Sequence, residues 1–312
     1  MNNKSNSTYE RVKTIVNKNR KACTICNCED VSITYNGKIR RGRPGLMTKA
    51  SIPVYRCASC DCIWHEKTED DALYHTDEYR ESMGETTNLE EFYEKHDDEI
   101  LAKLIYTGTS VYRNKFFMDI GCGGGGYADY INCVASKIAL VEPNNTFQQL
   151  LQSNGYEVFT YPEDACRKYA NSVEVLTTFD VIEHVDDPGF FMQSVFSLLA
   201  PGGVAFIGTP TEYPVLRELL GDTFDSFVFS TQHPWVFSKK SLEYLACECG
   251  FSEIETTFYQ LFGIGNLIAW LQTNKPHGDK QYEFVTKSLD ELYKSEMAKE
   301  ETGEYIMLKV QK

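Results

Sequence analysis

The segment Phe116–Tyr130 constrains the fold of this chain more than any other segment. It reads FFMDIGCGGGGYADY, an apolar run followed by an acid and then by glycine at positions 121 and 123–126. Glycine reaches backbone conformations with positive φ and lets a ligand approach the main chain closely. An apolar strand that enters such a loop and continues into a helix is typical of a nucleotide-type binding site in an α/β sheet.

Two carboxylates beside the loop indicate which kind of ligand it binds. Asp119 stands two residues before the first glycine, where a carboxylate would repel a pyrophosphate and attract an ammonium group. Glu142 ends the next predicted strand, where an acid can accept hydrogen bonds from both hydroxyls of a ribose. An adenosine with a cationic, amino-acid-like tail fits both acids, and S-adenosylmethionine is such a molecule. The GxGxxG pattern by itself also fits NAD, so a dehydrogenase is an alternative.

From residue 100 onward, apolar strand candidates alternate with helical patterns. The strands are predicted at Phe116–Ile120, Ile138–Glu142, Glu157–Phe159, Val173–Thr178 and Val204–Gly208. This alternation predicts an α/β fold with a doubly wound, Rossmann-like sheet. One helix is predicted to begin at Pro188, after the N-cap candidates Asp186 and Asp187. Another is predicted over Ser238–Cys249, with Gly250 as its C-cap.

Four motifs in this order resemble a class I S-adenosylmethionine-dependent methyltransferase. DIGCGGG resembles the first motif of that family, and LVEP at Leu140–Pro143 resembles the second. TTFDVIEHV at Thr177–Val185 is similar to the segment after the fourth strand. LLAPGGVAFIGTP at Leu198–Pro210 is similar to the turn and the fifth strand. The resemblance implies a methyltransferase sheet and S-adenosylmethionine as cofactor.

The resemblance also implies a set of cofactor-binding residues. Asp119 would meet the methionine amino group, the first glycines would pack under the methionine tail, and Glu142 would hold the ribose. The segment Glu163–Ala165 falls where the family places an acid near the adenine amine, with Asp164 as the candidate. Phe179 would pack beside the ligand or belong to the core. The full candidate set is Asp119, Gly121, Gly123, Gly125, Glu142, Asp164, Phe179 and Asp180.

Two CxxC pairs predict a metal site in the N-terminal part of the chain. Cys23 and Cys26 form the first pair, and Cys57 and Cys60 form the second, thirty residues later. Each pair can place two thiolates on one ion, and four thiolates give the tetrahedral sulfur site that zinc prefers. A zinc ion with four sulfur ligands has no open position for catalysis, so we expect a structural zinc in a small zinc-ribbon-like module.

Other side chains near the cysteine pairs compete as ligands. Cys28 and Cys62 each lie two residues after a pair, and His65 is a weaker competitor. A cysteine module of this kind before a methyltransferase domain resembles a bacterial subgroup that includes sugar methyltransferases and enzymes of polysaccharide or secondary-metabolite pathways. This resemblance concerns the arrangement of the chain, and it implies an acceptor of the sugar or glycan-pathway class.

The net charge, the apolar segments and the cysteine content indicate where the protein acts and which partners are disfavoured. The 312 residues carry a net charge of -14, which disfavours binding to a nucleic-acid backbone. The first twenty residues lack the apolar segment of a secretory signal, and the longest apolar run, Leu261–Leu271, is too short to span a bilayer. Eleven cysteines without an export signal indicate reduced thiols. We therefore expect a cytoplasmic protein without a membrane span.

The patterns divide the chain into four parts. Residues 1–20 form a polar tail, residues 21–66 the zinc-binding module and residues 67–105 a helical connector. Residues 106–312 form the methyltransferase domain, which includes a C-terminal lid and a last strand. The sequence does not indicate the oligomeric state.

Two histidines are candidates for the catalytic base, because transfer of a methyl group to a hydroxyl requires removal of its proton. His233 lies in an aromatic-rich loop after the fifth strand and is slightly favoured; His184 follows the fourth strand. The segment around Glu183 and His184 also resembles ubiquinone-biosynthesis O-methyltransferases, which implies a possible divalent-ion site. Tyr74 and Tyr79 of the connector are placed to enter the pocket.

The function predicted first is transfer of a methyl group from S-adenosylmethionine to a small molecule, with a sugar, a nucleotide sugar or a glycan-pathway intermediate as acceptor. An O-methyltransferase of a phenolic or quinone-like metabolite is the second hypothesis. A nucleic-acid methyltransferase is disfavoured by the net charge. A non-catalytic, cofactor-binding scaffold protein is the alternative from a different class, and the presence of both Asp119 and Glu142 argues against it.

Overall fold

The structure is a computed structural model and describes residues 22–68, 74–278 and 280–312. The predicted polar tail lies outside the described residues. The strands are β1 (Val31–Gly37), β2 (Ile52–Cys57), β3 (Ile63–Trp64), β4 (Phe116–Ile120), β5 (Lys137–Val141), β6 (Glu157–Phe159), β7 (Val173–Phe179), β8 (Leu199–Pro210), β9 (Trp235–Val236), β10 (Glu253–Tyr259) and β11 (Tyr305–Gln311). The helices are α1 (Glu78–Met83), α2 (Leu89–Thr107), α3 (Gly126–Ile131), α4 (Asn145–Ser153), α5 (Pro162–Tyr169), α6 (Pro188–Leu198), α7 (Pro214–Leu220), α8 (Asp222–Val228), α9 (Lys239–Cys249), α10 (Ile264–Thr273) and α11 (Lys287–Lys299).

Seven strands form one mixed sheet in the order β10-β11-β8-β7-β4-β5-β6. The five strands from β8 to β6 are parallel, and β11 pairs antiparallel with both of its neighbours. Parallel neighbours need crossover connections, which the helices between them supply. The α/β, Rossmann-like fold class predicted from the sequence is confirmed.

The central strand β4 shows why the sheet is covered on both faces. All five of its residues are buried. Phe116, Met118 and Ile120 pack into one apolar core, and Phe117 packs into a second one. Because successive side chains of a strand point to opposite faces, these two cores lie on the two sides of the sheet.

The helix ends follow the signals in the sequence. Asp187 is the N-cap of α6, where its Oδ1 accepts a hydrogen bond from the Phe190 amide at 2.9 Å. Ser238 caps α9, and the helix ends at Gly250 with a φ of 92°. Such caps satisfy backbone groups that have no partner within the helix, which is why the two predicted helices begin and end where they do.

A second, four-stranded antiparallel sheet has the order β1-β2-β3-β9. Its first three strands belong to the predicted cysteine module. β9 comes from the chain after β8, and in it Val236 pairs with Ile63 and Trp235 with Trp64. The module therefore shares a sheet with a segment of the region predicted as the methyltransferase domain.

Among the described residues, no helix combines the length and the apolar character that a membrane span requires.

Candidate functional site

The glycine loop after β4 adopts a conformation that requires glycine. Gly121, Gly123 and Gly125 have φ values of 76°, 55° and 83°. A Cβ atom at Gly121 would lie 2.2 Å from Cγ2 of Val181, which is closer than two carbon atoms can approach. The loop therefore combines left-handed backbone with close packing against the segment after β7, and a side chain at Gly121 would disrupt both.

A cavity of about 360 Å³ opens beside this loop at the carboxyl ends of the parallel strands. We call it the glycine-loop cavity. Among the residues that line it are Gly121, Glu142, Glu163, Asp180, His184 and Arg80. Ligands of α/β sheets bind at this edge, and the volume lies within the range of small-molecule sites.

Glu142 lines this cavity and is held in place by backbone donors. Its Oε2 accepts a hydrogen bond from the Gly123 amide at 2.8 Å, and its Oε1 accepts one from the Asn144 amide at 2.9 Å. Burial raises the pKa of Glu142, while the positive charge of Arg80 and the two amide donors oppose that shift. Each carboxylate oxygen has two lone pairs, so both can accept a second hydrogen bond from a ligand.

Asp119 lies behind the cavity wall. It is 4% exposed, and its Oδ1 accepts a hydrogen bond from the Thr177 hydroxyl at 2.6 Å. Burial raises the pKa of Asp119 to about 7, against the opposing effects of the Thr177 hydrogen bond and the charge of Lys103. A positive charge bound near the glycine loop would favour the ionised form of this carboxyl.

The remaining predicted cofactor residues occupy different positions around the loop. Gly125 is the N-cap of α3. Phe179 packs against the ring of Tyr127 at 5.4 Å between centroids, so it is part of the core beneath the loop. Asp164 forms a 2.8 Å ion pair with Arg167, while the adjacent Glu163 is the acid of this helix that lines the cavity. The sequence prediction named this helical turn and favoured Asp164, whereas the neighbouring Glu163 lines the cavity.

Asp180 lines the cavity from the end of β7. Its φ of 58° places a non-glycine residue in the left-handed region, where an aspartate is tolerated better than most residues. Its carboxylate forms an ion pair with Lys103 at 2.6 Å, and Lys103 also pairs with Glu99 at 2.5 Å. The lysine of α2 therefore fixes the orientation of an acid at the mouth of the site.

The connector supplies cavity residues that sequence reasoning identified only in part. Tyr74, a predicted residue, lines the glycine-loop cavity, whereas the side chain of Tyr79 lies outside the described residues. Arg80 was missed: it lines the same cavity and stacks on Phe147, with 4.4 Å between its Cζ and the ring centroid. Its one signal in the sequence is a basic residue within an acidic connector, which does not reveal where the helix docks.

A second cavity, of about 290 Å³, lies on the other side of the strand ends, and we call it the aromatic cavity. Its aromatic lining comprises Tyr213, Phe224, Phe227, Trp235, Phe262 and Trp270. Arg40 of the cysteine module also lines it, together with Glu183 and His233. The predicted aromatic surroundings of His233 are therefore present, and they enclose a cavity.

Glu183, His184 and His233 form a cluster between the two cavities. Each of the three residues offers one potential ligand atom, and these three atoms lie within 4.8 Å of one another. The two histidine rings pack edge to face, with 4.6 Å between their centroids. His184 lines the glycine-loop cavity, whereas Glu183 and His233 line the aromatic cavity. Both predicted base candidates are thus brought together at the wall that separates the cavities.

Hydrogen bonds and burial define the protonation of this cluster. Nδ1 of His184 lies 2.7 Å from the carbonyl oxygen of Gln232; it therefore carries the proton and donates, which places the lone pair on Nε2. Burial lowers the pKa of His184 to about 4, and burial together with the neighbouring His184 lowers the pKa of His233 well below its usual value. Both rings are therefore neutral at pH 7.

Glu183 completes the cluster as a buried carboxyl. Its Oε2 accepts a hydrogen bond from the Thr209 hydroxyl at 2.9 Å, while among the described residues no donor reaches Oε1. Burial, and then the charge of Asp180, raises the pKa of Glu183 to about 8. Two neutral imidazoles and a carboxyl can relay a proton, and they are also a ligand set that suits a divalent ion.

Comparison with known families identifies the domain. Residues 93–256, from α2 to β10, match a family model described as a methyltransferase domain. The chain belongs to this family. The predicted class, an S-adenosylmethionine-dependent methyltransferase, is confirmed by this match, and the family supports S-adenosylmethionine as the cofactor.

Curated relatives carry related names at modest similarity. A ubiquinone biosynthesis O-methyltransferase of Caulobacter sp. (strain K31) is 29% identical over 109 residues, which are 33% of this chain and 43% of that protein. The enzyme of the same name from Psychrobacter arcticus is 29% identical over 159 residues, 44% of this chain and 59% of its own. The methyltransferase domain thus spans less than two thirds of the length of these relatives.

Solved structures of methyltransferases are also similar to this chain. A SAM-dependent methyltransferase from Archaeoglobus fulgidus superposes with a TM-score of 0.49 at 14% identity, over 71% of this chain and 98% of that one.

The four predicted zinc ligands lie together outside the matched methyltransferase domain. Sγ of Cys23 is 3.6 Å from Sγ of Cys60, and Sγ of Cys26 is 3.5 Å from Sγ of Cys57. All four sulfur atoms lie within 4.8 Å of one another. A tetrahedral zinc with Zn–S bonds of about 2.3 Å requires sulfur atoms about 3.8 Å apart, so the cluster fits such an ion. A hydrogen bond from Cys60 lowers the pKa of Cys23 to about 5, which favours a thiolate.

The three competing ligands lie outside this sulfur cluster. The thiol of Cys28 contacts the carbonyl oxygen of Asp30, and the buried thiol of Cys62 contacts that of Ile63. Both ring nitrogens of His65 lie within 2.9 Å of backbone carbonyl oxygens. The structure therefore favours the four cysteines of the CxxC pairs as the ligand set.

Proposed function

We propose that this chain transfers a methyl group from S-adenosylmethionine in the glycine-loop cavity to a small-molecule acceptor in the aromatic cavity. The observation that carries the proposal is the position of Glu183, His184 and His233 between the two cavities. In-line transfer requires the acceptor oxygen to contact the methyl carbon, so the two ligands would have to meet beside this cluster, which would convert a bimolecular reaction into an effectively intramolecular one.

The residues that line the glycine-loop cavity fit the parts of the cofactor. Glu142 would accept the ribose hydroxyls, Glu163 would accept the adenine amine, and Arg80 would pair with the carboxylate of the methionine tail. The ionised carboxylate of Asp119 would stabilise the ammonium group from behind the wall. When bound, the cofactor supplies an electrophilic methyl group on a sulfonium ion.

His233 is the proposed base, because it lines the acceptor cavity and its neutral ring can accept a proton from a hydroxyl. His184 would hold the neighbouring wall through its bond to Gln232. A divalent ion held by Glu183, His184 and His233 is the second possibility for this cluster, and the buried Oε1 of Glu183 favours it. Full activity in protein whose elemental analysis shows only the one zinc of the four cysteines would exclude the ion.

The acceptor that fits the aromatic cavity is a compact ring with a hydroxyl group. A sugar or a related glycan-pathway intermediate is our first candidate, since sugar rings stack on aromatic side chains and the arrangement of the chain resembles sugar methyltransferases. A phenolic or quinone-like acceptor is the second candidate. It is supported by the six aromatic lining residues and by the names of the curated relatives.

Two measurements test the proposal. Calorimetric titration with S-adenosylhomocysteine should show one site per chain, and a Gly121→Val variant, whose side chain would strike Val181, should lose it. A screen with methyl-labelled cofactor against sugars, nucleotide sugars and phenols should then identify the acceptor. Binding of the cofactor without transfer to any acceptor class would favour the non-catalytic scaffold. Tighter binding of NAD than of S-adenosylhomocysteine would favour the dehydrogenase.

A further inference from the structure

The segment that carries His233 is attached to the cysteine module on both sides of this histidine. We call residues 229–238 the acceptor loop. The Arg40 amide donates to the carbonyl of Phe229 at 3.0 Å, and the amide of Thr231 donates back to the carbonyl of Arg40 at 2.9 Å. The side-chain oxygen of Gln232 accepts from the amide of Gly42 at 3.0 Å. The first half of the loop is thus bonded through its backbone to the chain after β1.

The second half of the loop is attached to the other side of the module. β9 pairs with β3, and the amide of His65 donates to the carbonyl of Pro234 at 3.1 Å. The ring of His65 is 3% exposed, and its Nε2 contacts the carbonyl of Ser230 at 2.9 Å. His65 of the module therefore contacts the loop both before and after His233.

Hydrogen bonds connect the second CxxC pair to the acceptor loop and to the residue before β3. The hydroxyl of Ser238, the last residue of the acceptor loop, donates to the carbonyl of Cys60 at 2.7 Å. The Cys57 amide donates to the carbonyl of Cys62, the residue that precedes β3. The second CxxC pair therefore contacts the end of the acceptor loop directly and leads into the strand that pairs with it.

A bound metal would fix the geometry of that pair. Four sulfur atoms within 4.8 Å of one another repel when they are ionised, and a divalent ion replaces this repulsion with four bonds. His184 connects the glycine-loop cavity to the acceptor loop through the Gln232 carbonyl, whereas the walls formed by the glycine loop, Glu142 and α5 have a different support. Gly121 follows β4, Glu142 follows β5, and Glu163 lies in α5. The strands β4 and β5 pair with each other within the seven-stranded sheet.

We propose that the metal of the four cysteines positions the acceptor loop, so that metal occupancy is required for the aromatic cavity and is not required for cofactor binding. The cysteine module is then a part of the acceptor site, to which it also contributes Arg40. In naming this cavity as the acceptor site, the inference rests on the function proposed above.

The tryptophans provide a reporter that does not depend on activity. The chain has three of them. Trp235 and Trp270 line the aromatic cavity, and Trp64 is the cross-strand partner of Trp235. All of the intrinsic tryptophan emission therefore comes from the acceptor side of the molecule. Binding of S-adenosylhomocysteine, measured by calorimetry, reports independently on the glycine-loop cavity.

The experiment compares the metal-loaded full-length protein with the same protein after chelation. Elemental analysis should give one zinc per chain before chelation. After it, we expect tryptophan emission to shift to longer wavelength and the amides of residues 229–238 to exchange faster, while the affinity for S-adenosylhomocysteine changes by less than about twofold. Restoring zinc should reverse both changes.

Matched variants separate the cysteine cluster from other thiols. Cys57→Ser should reproduce the chelated state, whereas Cys133→Ser, at an exposed cysteine outside the cluster, should behave as the wild type. Should Cys57→Ser fail to fold, Cys26→Ser, at a half-buried member of the same cluster, provides the same comparison.

Three outcomes would overturn the inference: unchanged emission and exchange after metal loss, loss of cofactor affinity together with the acceptor loop, or a protein that takes up no metal at the cysteines. Failure of the metal-loaded protein to bind S-adenosylhomocysteine would refute the proposed function instead. The response of the acceptor loop to the metal would still be measurable in that case.

Discussion

Two buried carboxyls flank the glycine loop, and they differ in the hydrogen bonds that they accept. Glu142 is held by two backbone amides, so its orientation is fixed before any ligand binds. Asp119 receives one hydroxyl hydrogen bond, and burial raises its pKa to about 7. An acid in this environment destabilises the empty protein when it ionises, and a cation bound nearby offsets that cost.

This difference predicts the effect of Asp119→Asn. Because the carboxyl has a higher pKa in the folded than in the unfolded protein, the folded state binds more protons between about pH 4 and pH 7, and stability falls as the pH rises through that window. The variant removes this dependence, so its free energy of unfolding at pH 8 should exceed that of the wild type by about 1–3 kcal/mol. Urea denaturation at pH 4 and pH 8 measures both values.

The same variant should bind the cofactor less tightly. Loss of the negative charge should weaken binding of S-adenosylhomocysteine by about 1–3 kcal/mol, the typical contribution of a hydrogen bond to a charged group. Asp164→Asn is the matched control, because this acid pairs with Arg167 and should change neither property. Equal stability of wild type and Asp119→Asn at pH 8 would contradict the assigned burial of the charge.

Single residues also show how far the sequence predicts the site. The order strand, acid, glycine predicted Gly121 and Glu142 as residues of a ligand site, and both line the glycine-loop cavity, because backbone geometry at a strand end depends on local sequence. The choice between Glu163 and Asp164 depends on the rotation of one short helix, which adjacent acids do not reveal. Arg80 reaches the cavity through the docking of α1, and no local pattern encodes that contact.

At the scale of elements, the connector closes over the glycine-loop cavity through one aspartate. Asp77 precedes α1; its Oδ1 accepts a hydrogen bond from the Asn144 side chain at 3.2 Å, and its Oδ2 accepts one from the Thr146 hydroxyl at 3.1 Å. Asn144 also donates to the carbonyl of Thr76 at 3.1 Å. The start of α4, next to Glu142, therefore holds the segment that carries Tyr74 and Arg80.

Asp77→Ala should loosen this closure. The variant loses the hydrogen bonds to Asn144 and Thr146, so residues 74–88 should exchange amide hydrogens faster, and S-adenosylhomocysteine should dissociate about ten times faster for a loss of about 1.4 kcal/mol. Stopped-flow displacement and hydrogen exchange measure the two effects. Glu78→Ala, at the next and exposed position, is the control. An unchanged dissociation rate would show that the connector does not retain the ligand.

At the scale of the whole molecule, the proposed acceptor site depends on a contact that the sequence could not reveal. The motifs predicted the parallel sheet and the CxxC pairs predicted the cysteine cluster, because both follow from local spacing. The pairing of β9 with β3 involves two residues on each strand, separated by about 170 positions, and such short strands carry no periodic signal. This pairing gives the aromatic cavity its wall and brings His233 to His184.

The two-cavity arrangement predicts that His233→Ala separates binding from transfer. His233 lines the aromatic cavity, so the variant should keep the wild-type affinity for S-adenosylhomocysteine and lose about 10²–10⁴ in the rate of methyl transfer, the typical contribution of a general base. Calorimetry and a single-turnover assay with labelled cofactor measure the two quantities. His277→Ala, at an exposed histidine beyond α10, should match the wild type in both. A full transfer rate in His233→Ala together with a loss in His184→Ala would assign the base to His184, since that ring faces the cofactor side of the same wall.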